Sequence, residues 1–399
     1  MTIAHVVVVG AGLAGARSVM ELRERGFTGE ITLLGQERIA PYDRPPLSEE
    51  LLERTEPKWL RDEVGADLDA VAVNAALGEP LQGIARQGEQ WILTTHRRRI
   101  EADGVIAATG AHALLPSAWR GAQVLHTWQD AEALRTRLAD SQSLVSIGAG
   151  WIGAEVSGVA AKAGLDVTVV EASAAPLFSV LGEEVGSLLI PWYEAAGIDL
   201  RTHATVATTN AKSVTLTTGD VLRGDVILAA VGVRPNVQWL EPTGVKLSVS
   251  GHVSVDSSQR TSLPGLWAVG DCTIRDSKHH GPVVGGHWDA ALNDPARAAA
   301  SILGHEIPTE PAPYVFSNQL GHNIALVGSP QHGTRWELRG TPEETWSALW
   351  FDESDALVAV FTADRPRDTI DARRLLARGP ARINAHIARD PAQRLRDAV

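Results

Sequence analysis

The sequence predicts an α/β protein with two doubly wound units and a smaller α+β tail, and three observations carry that expectation. A plan of strand, glycine turn, helix, glycine and strand fills residues 5–36 and returns at 143–171. The two turns, GAGLAG from Gly10 and GAGWIG from Gly148, stand about 138 residues apart. From about residue 313 the pattern changes to short alternating apolar strands.

The elements follow in order. An apolar strand, His5 to Val9, leads through the glycine turn into a helix reaching about Arg25, stopped by Gly26, and then into the strand ITLL. Next comes the proline-stiffened loop PYDRPPLSEELL, 41–52, where Ser48 occupies a helix-cap position. Glu49 and Glu50 then fall in the first turn, where acids suit the helix dipole. WILTTHRRRIEADGVIAATG, 91–110, reads as a hairpin running into an apolar strand and a small-residue turn; TLTTGDVLRGDVILAAVGVRPN, 215–236, ends the second unit the same way. Residues 251–272 add the strand GLWAVGDC, and 284–304 read as a helix with Pro295 as a point of kinking or restart. HNIALVG, TWSALWFD and ALVAVFTA are the strands of the tail, and an arginine-rich helix closes it.

Composition narrows the function. A chain of 399 residues, 44% apolar, has material for two or three cores, and a net charge of −12 disfavours nucleic acid, whose phosphates need a concentrated positive surface. No run approaches the roughly 20 apolar residues of a membrane span. The N-terminal IAHVVVVG lacks a basic leader and reads as a strand and not a signal peptide, so a cytoplasmic location is expected. Cys272 is the single cysteine, which rules out an internal disulfide or a Cys-x-x-Cys couple; electron traffic would need a bound cofactor. No cluster of metal ligands and no nucleophile beside a base is visible, so no metal is expected.

Glycine turns alone can serve packing. In full strand–turn–helix context, each of the two turns instead reads as a cradle for a dinucleotide. The first glycine (Gly10, Gly148) makes the turn, the second (Gly12, Gly150) lets pyrophosphate approach, and the third (Gly15, Gly153) lets the helix pack. The N–H groups of the following residues, Leu13 and Ala14 in one loop and Trp151 and Ile152 in the other, then face the anion. Trp151 could equally be core. Glu171, at the end of TVVEA, stands where a carboxylate takes ribose hydroxyls and repels a 2′-phosphate, which favours NADH. At the matching end of the first unit the acid is displaced to Glu37, which can also be an ordinary solvated residue.

The motifs GAGLAG, YDRPPLS (42–48), AATGA (107–111), GAGWIGAE (148–155), VGVRPN (231–236), AVGDC (268–272), HWDAAL (287–292) and a weakened SNQ (317–319) together cover nearly the whole chain. In them the sequence resembles the FAD-dependent, NAD(P)H-linked ferredoxin and rubredoxin reductases. The resemblance implies two Rossmann-like dinucleotide-binding domains plus a C-terminal α+β domain: FAD on 1–111 and 240–312, NAD on 112–239, and 313–399 as the third. It implies that Arg44 lies along FAD, that Thr109 and Gly110 form a crossover, that Asp271 reaches the ribityl and phosphate region, and that Trp288 flanks the flavin ring. Phe316 and Gly232 belong to the same set of cofactor contacts. The bland alternative for Asp271 is a turn-forming acid.

Departures cluster at one place. Such reductases carry a lysine where this chain has Glu49, paired there with the glutamate that is Glu155 here, and this pair is the expected catalytic site. Two carboxylates would either share a proton or send Glu49 into solvent. Gly286, Val315-Phe316-Ser317 and Asn318 also differ from the family pattern. The leading expectation is transfer of electrons from NADH through FAD to a ferredoxin-type protein. The rivals are a flavoenzyme acting on a small organic molecule and a nucleotide-binding flavoprotein without turnover. An acidic ferredoxin would call for local positive charge, for which Arg97, Arg98 and Arg99 and the set Arg365, Arg367, Arg373, Arg374 and Arg378 are candidates, though charge runs more often mark solvated surface.

Overall fold

The computed structural model describes residues 3–399 and divides into two compact units. One contains the chain up to Asp43 together with Lys58–His112 and Arg234–Pro313; the other contains Arg44–Pro57, Ala113–Val233 and Tyr314–Val399.

The elements that position the site are β1 (His5–Val9), α1 (Leu13–Glu24), β2 (Glu30–Gly35), α2 (Pro46–Glu49), β3 (Ser143–Ile147), α3 (Trp151–Lys162), β4 (Asp166–Val170), α4 (Trp288–Leu303) and β5 (Tyr314–Gln319). In the first unit β1 lies at the centre of a five-stranded parallel sheet, in the order Leu266–Ala268, Gly104–Ala107, β1, β2, Asn74–Leu77. Val6, Val7 and Val8 are fully buried, and the strand reads as unbroken valine because a parallel sheet is covered on both faces. Each such side chain contributes about 1.5–3 kcal/mol by leaving water.

α4 packs along α1. The break expected at Pro295 does not divide it: the helix runs on from Trp288 to Leu303 with Pro295 inside. Proline forfeits one backbone bond, but Asp294, Pro295 and Arg297–Ser301 are all buried, so tertiary packing holds a helix that propensity alone would interrupt.

The second unit repeats the parallel plan with four strands, Asp199–Arg201, β4, β3 and Val226–Ala229. Its tail is an antiparallel sheet in the order β5, His322–Gly328, Ala356–Ala363, Trp346–Phe351, Arg335–Gly340, with Ala381–Arg382 added beside Ala356–Ala363. One apolar cluster joins Leu177, Leu181 and Trp192 to Trp346, Trp350 and Phe361, with Trp151 packed against it. Trp151 is only partly buried there, at the start of α3 beside the second glycine loop. In the tail a single guanidinium, Arg339, 1% exposed, is paired with Asp368 at 2.8 Å and gathers the carbonyls of Ala388, Asp390 and Gln393.

The loop at 41–52 differs from expectation. Ser48 does not cap a helix start; α2 is a four-residue turn capped by Pro45, and Ser48 lies inside it, buried. The paired prolines set the turn early, which frees the serine hydroxyl for a distant partner.

Candidate functional site

Each glycine of the first loop has its own reason. Gly10 has φ +112°, and a Cβ there would fall 2.2 Å from the Ala108 carbonyl oxygen; one on Gly15 would fall 1.8 Å from the Gly10 oxygen. Backbone packing forbids any side chain at either. Gly12 is different: its φ is −80°, open to any residue, and a Cβ there meets no protein atom within 4 Å. Neither strain nor packing demands glycine, and its absence of a side chain leaves the backbone at the start of α1 open to a ligand. That is the fit a dinucleotide pyrophosphate requires.

A Cβ on Gly10 would also fall 3.0 Å from the Cα of Thr109. Thr109 Oγ1 donates to the Asn236 carbonyl at 2.6 Å, and Asn236 Nδ2 returns a bond to the Thr109 carbonyl at 3.1 Å, while the Asn236 N–H reaches the Gly110 carbonyl. The AATGA and VGVRPN motifs therefore lock together. Gly270, with φ +70°, sits against Ala14, and Gly285 can have no side chain because the Gly270 oxygen would be 2.3 Å away. This close stacking brings the turn that bears Asp271 to the first glycine loop. Behind it Asp294 accepts from the Gly270 N–H at 3.4 Å and pairs with Arg275 at 2.7 Å, and Arg275 also pairs with Glu310 at 2.8 Å. Burial pushes the Asp294 carboxyl up to about 6, against the pull of Arg275. The sequence reading missed Arg275, Asp294 and Glu310; a charged Asp-Pro inside an apolar helix was the available signal.

The second loop copies the first. A Cβ at Gly148 (φ +102°) would fall 2.4 Å from the Ala230 oxygen, and one at Gly153 would fall 2.1 Å from the Gly148 oxygen. At Gly150 (φ −81°) it would meet nothing. Val231 lies beside Gly148, and Gly232 follows at φ +103° in the open. Glu171 Oε2 accepts from the Ala149 N–H at 2.8 Å and Oε1 from the Ser173 N–H at 2.7 Å, so this carboxylate is built into the loop. Glu37, at the matching end of β2, accepts instead from Tyr42 Oη at 2.7 Å.

The two expected catalytic acids meet in the second unit. Glu155, on α3, is 8% exposed. Ser48 Oγ lies 2.6 Å from its Oε2, and the Ser317 hydroxyl donates to its Oε1. Gln319 Nε2 donates to Ser317 Oγ at 3.1 Å. Glu49 does not swing into solvent: its Oε1 accepts from both the backbone N–H of Asn318 at 3.0 Å and Asn318 Nδ2 at 3.2 Å. Burial is the main reason the Glu155 carboxyl rises to about 8; the two serine hydroxyls oppose the shift and the Glu49 charge adds to it.

The remaining candidates are placed as follows. Trp288 Nε1 donates to Asp43 at 2.8 Å, within the first unit. Arg44 falls in the second, where Nη1 donates to the His126 carbonyl at 2.8 Å. Phe316 stands in β5 with its ring 5.8 Å from that of Tyr314. Cys272 is fully buried and burial pushes its thiol up to about 12, so it is inert. Among the described residues no cluster suited to a metal is found, and no helix is long and apolar enough to cross a membrane. The arginines are engaged close to home: Arg98 with Glu79 at 3.1 Å, Arg99 with Gln87 at 2.6 Å, Arg365 with Asp368 at 2.6 Å, and Arg373 over the Tyr314 ring at 4.3 Å.

Comparison with known proteins agrees with this arrangement. Rhodocoxin reductase of Rhodococcus erythropolis is 32% identical over 386 residues, spanning 93% of this chain and 89% of its own. The ferredoxin–NAD(+) reductase component of the p-cumate 2,3-dioxygenase system of Pseudomonas putida is 29% identical over 100% of this chain and 99% of its own. A chain of the covalent putidaredoxin reductase–putidaredoxin complex superposes with a TM-score of 0.90 at 27% identity, covering 100% of this chain and 98% of that one. Residues 4–294 match the profile described as pyridine nucleotide-disulphide oxidoreductase and 314–399 the one described as reductase C-terminal. The resemblance carried by the sequence motifs is thus a kinship, and the chain belongs to the pyridine nucleotide-disulphide oxidoreductase family, its reductase C-terminal domain included.

Proposed function

We propose that the protein is an FAD-dependent reductase that draws on NADH and supplies electrons to a ferredoxin-type iron–sulfur protein. The observation that supports this most is the pair of empty Cβ positions at Gly12 and Gly150, each at a helix start whose backbone is left open to a ligand. The names of the relatives, reductases serving a rhodocoxin, a dioxygenase system and putidaredoxin, point to the same class of acceptor. Residues 1–111 and 240–312 would hold FAD, 112–239 NADH, and 313–399 form the third domain. FAD supplies the exchange between a two-electron donor and one-electron acceptors.

The chain's residues do the rest. Gly10, Gly12, Leu13 and Ala14 receive the FAD pyrophosphate, with Asp271 and Arg44 along the cofactor, Glu37 toward its ribose, and Trp288 and Phe316 near the ring. Thr109 and Gly110 carry the chain over toward the NADH-binding residues. Gly148, Gly150, Trp151, Ile152, Gly153 and Gly232 shape the NADH cradle, and Glu171 discriminates against a 2′-phosphate. Glu49 and Glu155 set the local charge. A cytoplasmic setting, where NADH is available, completes the reading.

The test is anaerobic stopped-flow mixing of the yellow protein with NADH, then with a small iron–sulfur protein. Bleaching followed by ferredoxin-dependent reoxidation is the expected result; a flavin that NADH never bleaches would overturn the reading. A second reading, a flavoenzyme turned to a small organic substrate, is favoured by one observation: the side chain that Asn318 holds at this position is an acid, Glu49, where such reductases carry a lysine. Fast bleaching with no reoxidation by any ferredoxin would select it.

A further inference from the structure

We propose that Asp294 is a positioning residue for FAD: it ties the turn that carries Asp271 to α4, the helix that begins at Trp288, and the Arg275–Glu310 pair keeps its carboxylate turned to that task. The inference rests on FAD occupying the first unit, as proposed above. It is independent of the electron acceptor.

The turn is Gly270–Cys272, and it packs on α4. Gly270 is buried, and both of its hydrogen-bonding groups are engaged. Its carbonyl accepts from Thr273 Oγ1 at 2.8 Å. Its N–H meets one acceptor among the described residues, Asp294 Oδ2 at 3.4 Å. A buried N–H without an acceptor is costly, so the turn stays where the carboxylate is. With both sides of Gly270 held and its φ fixed at +70° against Ala14 of the first glycine loop, little freedom remains in the direction of Asp271.

The other oxygen explains why the group is a carboxylate. Asp294 Oδ1 accepts from Arg275 Nη1 at 2.7 Å, and Arg275 Nε donates to Glu310 at 2.8 Å. The three side chains are only 3%, 6% and 7% exposed. Arg275 lies on the strand Thr273–Ser277 that leaves the turn, Asp294 on α4, and Glu310 on the stretch beyond that helix, so three segments meet at one joint. Arg297, one turn beyond Asp294, donates to the carbonyls of Ser257 and Pro308 and brings the second positive charge.

Buried ions give little net stability, because well-packed apolar groups of similar size do about as well. What an apolar trio lacks is an oxygen for Gly270. The same helix that starts at Trp288, expected beside the flavin ring, thereby grips the turn expected at the ribityl chain. A slip of one against the other would separate two of the proposed cofactor contacts, and a site fixed in advance binds more tightly than one that FAD must order.

Two charge-matched variants test this. Arg275→Met with Asp294→Leu removes the ion pair and the oxygen; Arg275→Met with Asp294→Asn removes the pair and keeps an oxygen for Gly270. Glu310 and Arg297 remain to balance each other in both. Fluorescence of FAD released on dilution of the loaded proteins gives the dissociation constant, which should be about fivefold or more higher with leucine than with asparagine. In hydrogen exchange, residues 266–277 of the loaded protein should lose protection with leucine and keep it with asparagine. Equal constants in the two double variants, or equal protection of 266–277, overturn the proposal. Should the leucine variant not fold, Asp294→Glu decides: it keeps the charge but carries the oxygens one methylene further, and FAD held as tightly as in the natural protein overturns the proposal. A protein that follows the expected pattern but that NADH never bleaches overturns the proposed function and leaves the role of Asp294 standing. A natural protein that takes up no FAD overturns both.

Discussion

The two glycine loops are nearly the same object, yet their surroundings have diverged. Counted from the first glycine, the same helical position is Arg17 in α1 and Glu155 in α3. Arg17 is paired with Glu21 one turn on, a largely buried pair that stays within its own helix. Glu155 instead reaches out of its helix to hydroxyls of α2 and β5. The strand-end acids divide likewise: Glu37 is fixed by a tyrosine hydroxyl, Glu171 by two backbone N–H groups, one of them from its own glycine loop. Phosphate cradles tolerate little variation because backbone geometry makes them. Side chains around them are where the two copies acquire separate duties.

The largest effects should come from the shared geometry. Gly10→Ala and Gly148→Ala force a side chain into a left-handed φ and onto a carbonyl oxygen, and each should lose at least about 3 kcal/mol in denaturant melts. Equal stability in either variant would break the claimed equivalence. Next, Gly12→Ala and Gly150→Ala should keep stability within about 0.5 kcal/mol while separating the loops by ligand. The first should lower the FAD content of purified protein, and the second should weaken NADH about tenfold or more, near 1.4 kcal/mol, with FAD retained. The reverse assignment would exchange the proposed roles of the loops.

Glu171→Ala removes the acceptor of two N–H bonds and should cost about 1.5–3 kcal/mol, with the preference for NADH over NADPH relaxed in titrations. Glu155 should then show itself in the pH dependence of unfolding. Its folded value lies near 8 against an ordinary 4.5, so the native state binds the extra proton between those limits, and stability falls as pH rises through that window. The slope contributed is up to about 1.4 kcal/mol per pH unit, and Glu155→Gln should abolish it. Tyr42→Phe, which strips one bond from Glu37, should be the mildest at about 1 kcal/mol.

Much of this was legible in the residues. The βαβ units could be read because strand, glycine spacing and helix are local signals, and GAGLAG and GAGWIG mark their ends. The tail strands 322–328, 346–351 and 356–363 were visible as apolar runs, whereas Arg335–Gly340, rich in charge, was not. Pro295 misled because burial on α1 outweighs a local propensity. Ser48 misled because its hydroxyl answers to Glu155, 107 residues away, and no cap pattern encodes such a distance. The anchoring of Glu49 by Asn318 had a trace, two unusual residues in one neighbourhood, but the bond between them needed the fold.

Arg339 carries a practical lesson about where the protein can be shortened. Because one interior cation is solvated by the final turns of the polypeptide, trimming from about residue 385 would leave it facing Asp368 with three of its oxygens gone. The last fifteen residues are in effect a plug, while Val399 itself, 82% exposed, points outward and leaves room for a fused partner or tag.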